Sequence, residues 1–222
     1  MAQNLYMKRI TLVLCSAAIL FAACNSKKDE KTAETKEATG GTKMEEPKAW
    51  IPIDSNMMNK AWQENMKIGE PHKMMAKGAG TWDAEVTMWM AAGAPPSVSK
   101  ATTVVTSLYG GLYQEAKHTG NMMGMPFEGM STMGYDNLKK EYVSTWIDNM
   151  GSGIMMMTGQ YDDASKKLSM SGTTKCMNGQ DATMREVFTM TDDDHQILEM
   201  FGPDPQTGKE YKNMEIKYTR KK

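Results

Sequence analysis

The chain is short of the residues that usually carry chemistry. Its 222 residues include three cysteines and three histidines. His72, His118 and His195 stand far apart, and none pairs with a cysteine or carboxylate at motif spacing. Zinc-ligand spacing is absent. So are H-E-x-x-H, G-x-S-x-G, the Walker loop and G-x-G-x-x-G. These absences argue against an enzyme of a familiar class, and no cofactor is expected. A basic excess is also missing: Lys and Arg number 26 against 27 Asp and Glu, for a formal net charge of -1. Nucleic acid is therefore not an expected partner.

What is abundant is methionine, with 25 residues against an ordinary hydrophobic fraction of 40%. Methionine is replacing leucine and isoleucine rather than adding to them. The length suits one domain with accessories, and a core of that size needs no covalent staple.

The N-terminus reads as an address. In residues 7–24, MKRITLVLCSAAILFAAC, two cations precede an apolar run from Ile10 to Ala23. That is a signal-peptide pattern, too short to span a bilayer. Small residues before Cys24 resemble the lipobox that directs diacylglycerol to the thiol, although Phe21 stands where Leu or Val is usual. Residues 1–23 are thus expected to be cleaved, taking Cys15 with them, and Cys24 to be lipidated. Cys176 is then alone, and no internal disulfide can form. Residues 25–47 contain no aromatic and almost no apolar side chain. Such a stretch cannot offset the entropy of its own ordering, so 24–47 is read as a lipidated cysteine and disordered tether. The expected address is the bacterial cell envelope, at the outer membrane on its periplasmic or surface face. The lipid makes the membrane a partner.

The body divides at Gly80. Across 48–79 the spacing is helical: Met57, Met58, Ala61, Trp62 and Met66 recur at three and four residues, Asp54 or Ser55 can cap, and Gly69 and Pro71 interrupt. Met74 and Met75 are expected to press this segment on the domain. From 80 to 222 the period is two. Trp82, Ala84, Val86, Met88 and Met90 alternate with polar positions. The same rhythm runs through Tyr142–Ile147, Met184–Met190 and Met214–Thr219. Turn signals between the runs give about ten strands. A meander of that length closes or splits, and closure removes exposed edges. The expectation is an all-β antiparallel closed barrel of about eight to ten strands. The stretch Gly120–Gly129, rich in Gly and Met, reads as a long flap at its mouth.

Gly80-Thr81-Trp82 resembles the Gly-x-Trp that opens the first strand of lipocalins. In that superfamily an Arg on the last strand lies across the Trp, and the resemblance implies that role for Arg220, as a barrel-closing pair with Trp82. Further stretches are His72-Lys73, Asp83 following the Gly-x-Trp, Pro126-Phe127-Glu128-Gly129, Gly134-Tyr135-Asp136-Asn137, Thr145-Trp146-Ile147-Asp148-Asn149 and Met214-Glu215-Ile216-Lys217-Tyr218-Thr219-Arg220. With them the chain resembles a bacterial family catalogued as domain of unknown function 1579, across residues 71–220. The resemblance implies a small lipocalin-like barrel with no established activity.

Three uses of such a barrel compete. A hollow barrel holds one small apolar or amphipathic ligand. The aromatic candidates to line it are Trp82, Tyr113, Phe127, Tyr135, Trp146, Phe188 and Tyr218. Met88, Met123, Met125 and Met156 are the flexible ones. A barrel packed with its own side chains would instead be a structural or partner-binding module. Finally, Met123, Met125, Met155 and Met157, with His118, offer soft ligands at Met-x-Met spacing for Cu(I). Parity also places Asp148 and Glu186 on the inner face, where carboxylates need partners or solvent.

Overall fold

The computed structural model describes residues 49–222. The signal segment 1–23, Cys24 and the tether through Glu46 and Pro47 lie outside the described residues.

Two short helices come first, α1 at Ser55–Asn65 and α2 at Glu70–Lys77. Asp54 caps α1, its carboxylate accepting from the Met57 N–H at 2.8 Å. Gly69 precedes α2 and Pro71 stands in its first turn, where a missing N–H costs nothing. The Gly69 N–H donates to His72 Nδ1 at 3.1 Å. The helices differ in what they bury. α2 turns His72 and Met75 inward. α1 buries no residue, and Trp62 keeps 63% of its surface exposed. Only the second half of the segment expected to lie on the barrel is therefore packed. The α1 end is held by polar contacts, with Asn137 Nδ2 donating to the Asn65 and Lys67 carbonyls at 3.0 and 2.9 Å.

Ten strands follow: β1 Gly80–Met88, β2 Ser97–Leu108, β3 Tyr113–Met122, β4 Met125–Asp136 and β5 Glu141–Asp148, then β6 Met155–Asp162, β7 Lys167–Lys175, β8 Asp181–Met190, β9 His195–Pro203 and β10 Glu210–Arg220. Each pairs antiparallel with its neighbours in sequence, and β1 pairs with β10 to close the barrel. The closing ladder runs from Trp82 opposite Arg220 to Met88 opposite Met214. β1 stops at Met88, so Met90 lies beyond the sheet and is exposed.

Because the strands alternate in direction, the turns fall on two rims. One rim carries turns 109–112, 137–140, 163–166 and 191–194, together with α2. The other carries 89–96, 123–124, 149–154, 176–180 and 204–209. The stretch Gly120–Gly129 is not a flap. Asn121 pairs with Pro126 and Met122 with Met125, leaving a two-residue turn of Met123 and Gly124. Both have positive φ, 51° and 81°, which is the twist a tight hairpin needs.

The first rim is plugged where β1 meets β10, and beside the plug a cleft of about 560 Å³ lies between α2 and the 163–166 and 191–194 turns. The Arg220 guanidinium carbon lies 4.1 Å from the centre of the Trp82 ring, which is almost fully buried. Arg220 Nη1 and Nη2 donate to the Ala79 and Lys77 carbonyls at 2.7 and 2.8 Å. Its Nε donates to the Asp193 carbonyl at 3.0 Å. The indole Nε1 donates to the Gly78 carbonyl at 3.0 Å. One side chain thus ties the end of α2, the start of β1, the 191–194 turn and the last strand. Gly80 makes the approach possible. Its φ is +136°, and an added Cβ would stand 2.7 Å from Arg220 Nη1. Trp82→Ala and Arg220→Ala should each destabilise the domain by about 2 kcal/mol or more, with the double variant costing clearly less than the sum. Urea unfolding of the four-member cycle measures this, and additive effects would mean that ring and guanidinium act independently.

Candidate functional site

The interior positions follow from parity. Alternate residues of each strand face the barrel axis, and these are mostly Met, Ala, Val, Leu and aromatics. They do not form one continuous core. One buried cluster centres on Trp82, Ala84, Val86, Ile216 and Tyr218 of β1 and β10. The other centres on Tyr142, Met157, Leu168 and Met170 of β5 to β7, with Met75 of α2. Phe188 touches both. Between these walls lies a cavity of about 460 Å³. It runs from Met74, Met75 and Trp82 at the shut rim to Asn121, Met122 and Met150 at the other. That volume is in the range of sites for small molecules.

The cavity is apolar but not uniformly so. On β3, His118 Nδ1 lies 2.9 Å from the Thr103 hydroxyl, and its ring sits 5.1 Å from the Trp146 ring. Burial pushes its pKa down to about 4, so the imidazole is neutral. The Trp146 indole donates to Asp148 Oδ2 at 2.6 Å. Room for that indole comes from Gly129, where an added Cβ would meet the ring at 2.6 Å. Across the barrel on β8 stands Glu186. β3 and β8 are five strands apart in a ring of ten, so His118 and Glu186 occupy opposite walls. Glu186 lines the cavity, and burial alone pushes its carboxyl up to about 7. The phenol of Tyr218 is raised, first by burial and then by the charge of Glu186. At the shut end, Gln114 Oε1 is a buried acceptor without a partner among the described residues.

The candidate lining residues separate by parity and height. Trp82, Met88, Phe127, Trp146, Phe188 and Tyr218 face the cavity. Tyr113 does not: the inward series of β3 is Gln114, Ala116 and His118, and Tyr113 points out against Tyr109. Met156 likewise faces solvent, between the cavity residues Met155 and Met157. Tyr135 has inward parity but sits at the shut rim, edge-on to Tyr142 and His72. Met123 and Met125 are at the exposed tip of the β3–β4 hairpin. The soft-ligand set is thereby split. Met155, Met157 and His118 face the interior, while the other two thioethers stand at the rim in solvent. Glu186 lies inside, as its parity predicts, and His118 and Met184, which were not among the candidate lining residues, also face the cavity. Cross-strand register was the missing signal, since it shows which side of the neighbouring strand each residue meets.

A closed ten-stranded antiparallel barrel with one plugged end and a hollow apolar interior has the lipocalin-like fold. The chain belongs to the family described as Protein of unknown function (DUF1579), which matches residues 67–220. Among solved structures, the barrel resembles Rv2717c from M. tuberculosis, with a TM-score of 0.52 and 8% identity over 70% of this chain and 100% of that one. A second similar structure is the S-type phycobiliprotein lyase CPES from Guillardia theta, at a TM-score of 0.48 and 9% identity over 72% of this chain and 96% of that one. No curated protein matches the sequence.

Two of the interior ionisable groups, Glu186 and His118, give stability opposite pH dependences. Glu186 has a folded pKa of about 7 against an ordinary 4.5, so its contribution is full below about 4.5 and is lost as pH rises through about 7. His118 is held at about 4 against 6.5, so its contribution is full above 6.5 and is lost as pH falls through about 4. Glu186→Gln removes the first effect. The variant should match the parent near pH 4.5 and exceed it by about 1–3 kcal/mol near pH 8. Urea midpoints at the two pH values measure this, and an equal gap at both would mean that Glu186 stays charged in the fold.

Proposed function

We propose that this protein binds one small apolar or amphipathic ligand inside the barrel, as a lipid-anchored protein of the bacterial cell envelope. The observation that carries the reading is the cavity of about 460 Å³ between two packed walls. A barrel serving only as a scaffold gains nothing from that space, because an unfilled interior forfeits packing contacts. Methionine suits the lining, as its unbranched thioether adapts to ligands of differing shape. The polar groups narrow the chemistry. His118 and Glu186 face each other across an otherwise greasy interior. An occupant with an apolar body and one hydrogen-bonding or basic group satisfies both, the group meeting Glu186 and the body the Met and aromatic wall. Gln114 offers a further acceptor at the closed end. Nothing inside requires a metal or a covalent step, and no reaction is assigned.

The anchoring half of the proposal rests on the sequence at Cys24, the preceding apolar run and the solvated stretch after it.

Native mass spectrometry of the protein purified from its own host should show a bound small molecule that organic extraction removes. Ala101 lines the cavity, and Ala101→Phe should lower binding of an apolar fluorescent dye by about tenfold without unfolding the domain. An empty protein whose interior also refuses the dye would end this reading. For the anchor, Cys24→Ser should abolish incorporation of labelled fatty acid in the bacterial host and move the protein from the membrane fraction to the soluble one. Label retained in the variant would place the lipid elsewhere or remove it from the account.

A further inference from the structure

The open rim of the barrel differs from the shut rim in a way that ligand binding alone does not require. Four of its five turns, 89–96, 123–124, 149–154 and 176–180, contain no Asp, Glu, Lys or Arg. The fifth, 204–209, has Asp204 and Lys209. Asp204 is buried and turned inward, its carboxylate accepting from the Ala92 N–H at 2.7 Å and from its own loop. At the tips stand bare apolar side chains: Met90, Met123, Met150, Ile154 and Met177. Ile154 keeps 72% of its surface exposed, and Met177 is exposed completely. The apolar surface continues down the outer wall through Ile147 and Met156. Charge returns only a residue or two back from the tips, as a mixed collar that includes the Lys175–Asp181 pair at 2.7 Å. At the other rim three of the four turns are charged, with Lys139, Lys140, Asp163, Lys166 and Asp192–Asp194, while turn 109–112 is uncharged and presents Tyr109.

We propose that the open rim docks on a lipid bilayer and that the cavity exchanges its ligand with the acyl layer there. The inference deepens the ligand-binding reading by naming where the ligand comes from. Apolar tips on separate turns above a polar collar are the pattern of a shallow interfacial anchor. Bilayer lipid needs no charge matching and no fixed complementary shape, and the four uncharged turns offer neither. Methionine and isoleucine tips can enter the headgroup–acyl boundary, while the collar stays in water. The cavity reaches Met122 and Met150 inside this same ring. An apolar ligand could then pass from membrane to barrel without crossing water, which removes the main barrier to its transfer.

The chain geometry permits this orientation. The end of α1 is tied to the 137–140 turn at the plugged rim, so a membrane-anchored N-terminus has to reach past the barrel. The barrel height is about 30 Å, from strands of about nine residues. The stretch 25–48 reaches about 80 Å when extended. A tether of a few residues would have forbidden it.

The test uses Cys176, the one free thiol among the described residues, which lies in turn 176–180 beside Met177. In the mature chain 24–222 carrying Cys24→Ser, an environment-sensitive fluorophore on Cys176 reports the open rim. A second chain carries Cys176→Ser as well and a label at Ser165→Cys, which reports the shut rim. With phosphatidylcholine vesicles, the Cys176 label should shift to the blue and be quenched by brominated acyl chains, unaffected by salt, while the Ser165→Cys label should not respond. Met90→Lys, Met123→Lys and Ile154→Lys together, all exposed tips outside the cavity lining, should lower the responding fraction about tenfold, with binding of the apolar dye unchanged. Dye binding that persists without any rim response overturns the docking alone. A rim response in a chain that refuses the dye overturns the ligand reading, and the exchange with it. Equal responses at both rims, or a blue shift that grows with protein concentration in the absence of vesicles, also overturn the docking, the last in favour of a second copy of this chain.

Discussion

The pairing of β1 with β10 is the contact on which the cavity, its two ends and its polarity all depend. Ten strands in an open sheet would leave two edges and one apolar face in water. Closed, they hide both, but the circumference fixed by ten strands exceeds what their own side chains fill. The ladder from Trp82–Arg220 to Met88–Met214 therefore creates the hollow as a consequence of closing. Arg220 couples that closure to the plug. By bonding to the carbonyls of Lys77 and Ala79 it makes the first strand, the last strand and the end of α2 one unit. Gly80, with no side chain and a positive φ, is what lets the guanidinium approach so closely.

Polarity inside the barrel is sparse and placed. The apolar walls carry most of the stability, through burial of Trp82, Leu168, Met170 and Tyr218. Against them, Glu186 is costly to hold: it is deep, and burial alone moves its carboxyl to about 7. Its surface remains open to the cavity, which is why it is neither fully excluded from solvent nor fully solvated. A group kept at that cost inside a hollow is more useful to an occupant than to the fold. His118, by contrast, is comfortable as a neutral ring beside Thr103 and Trp146.

The two rims divide the labour. One is charged at three of its four turns, plugged by Arg220 and Trp82, and carries α2. The other is uncharged at four turns and tipped with methionine and isoleucine. Lengthwise asymmetry of this kind gives the barrel a direction.

Much of the architecture was legible in the chain itself. Period-two alternation from Trp82 onward, broken at regular intervals by Gly, Asn and Asp, dictates strands and turns, because side chains on a pleated strand alternate between faces. The Gly-x-Trp and the late Arg pointed to the ends that meet. Parity along each strand put Trp146, Asp148, Glu186 and Phe188 on a common face. The flap expected over Gly120–Gly129 shows where composition misleads: cross-strand hydrogen bonds and a positive φ at Met123 convert it into a tight hairpin, and composition carries neither. Tyr135 shows the same for height, having the right parity at the wrong level. Local residue pattern thus determined which elements form and which face each presents. Only the closed sheet decided which walls oppose each other, how far apart they stand and which end stays open, because circumference, register and depth are properties of all ten strands together and of no segment alone.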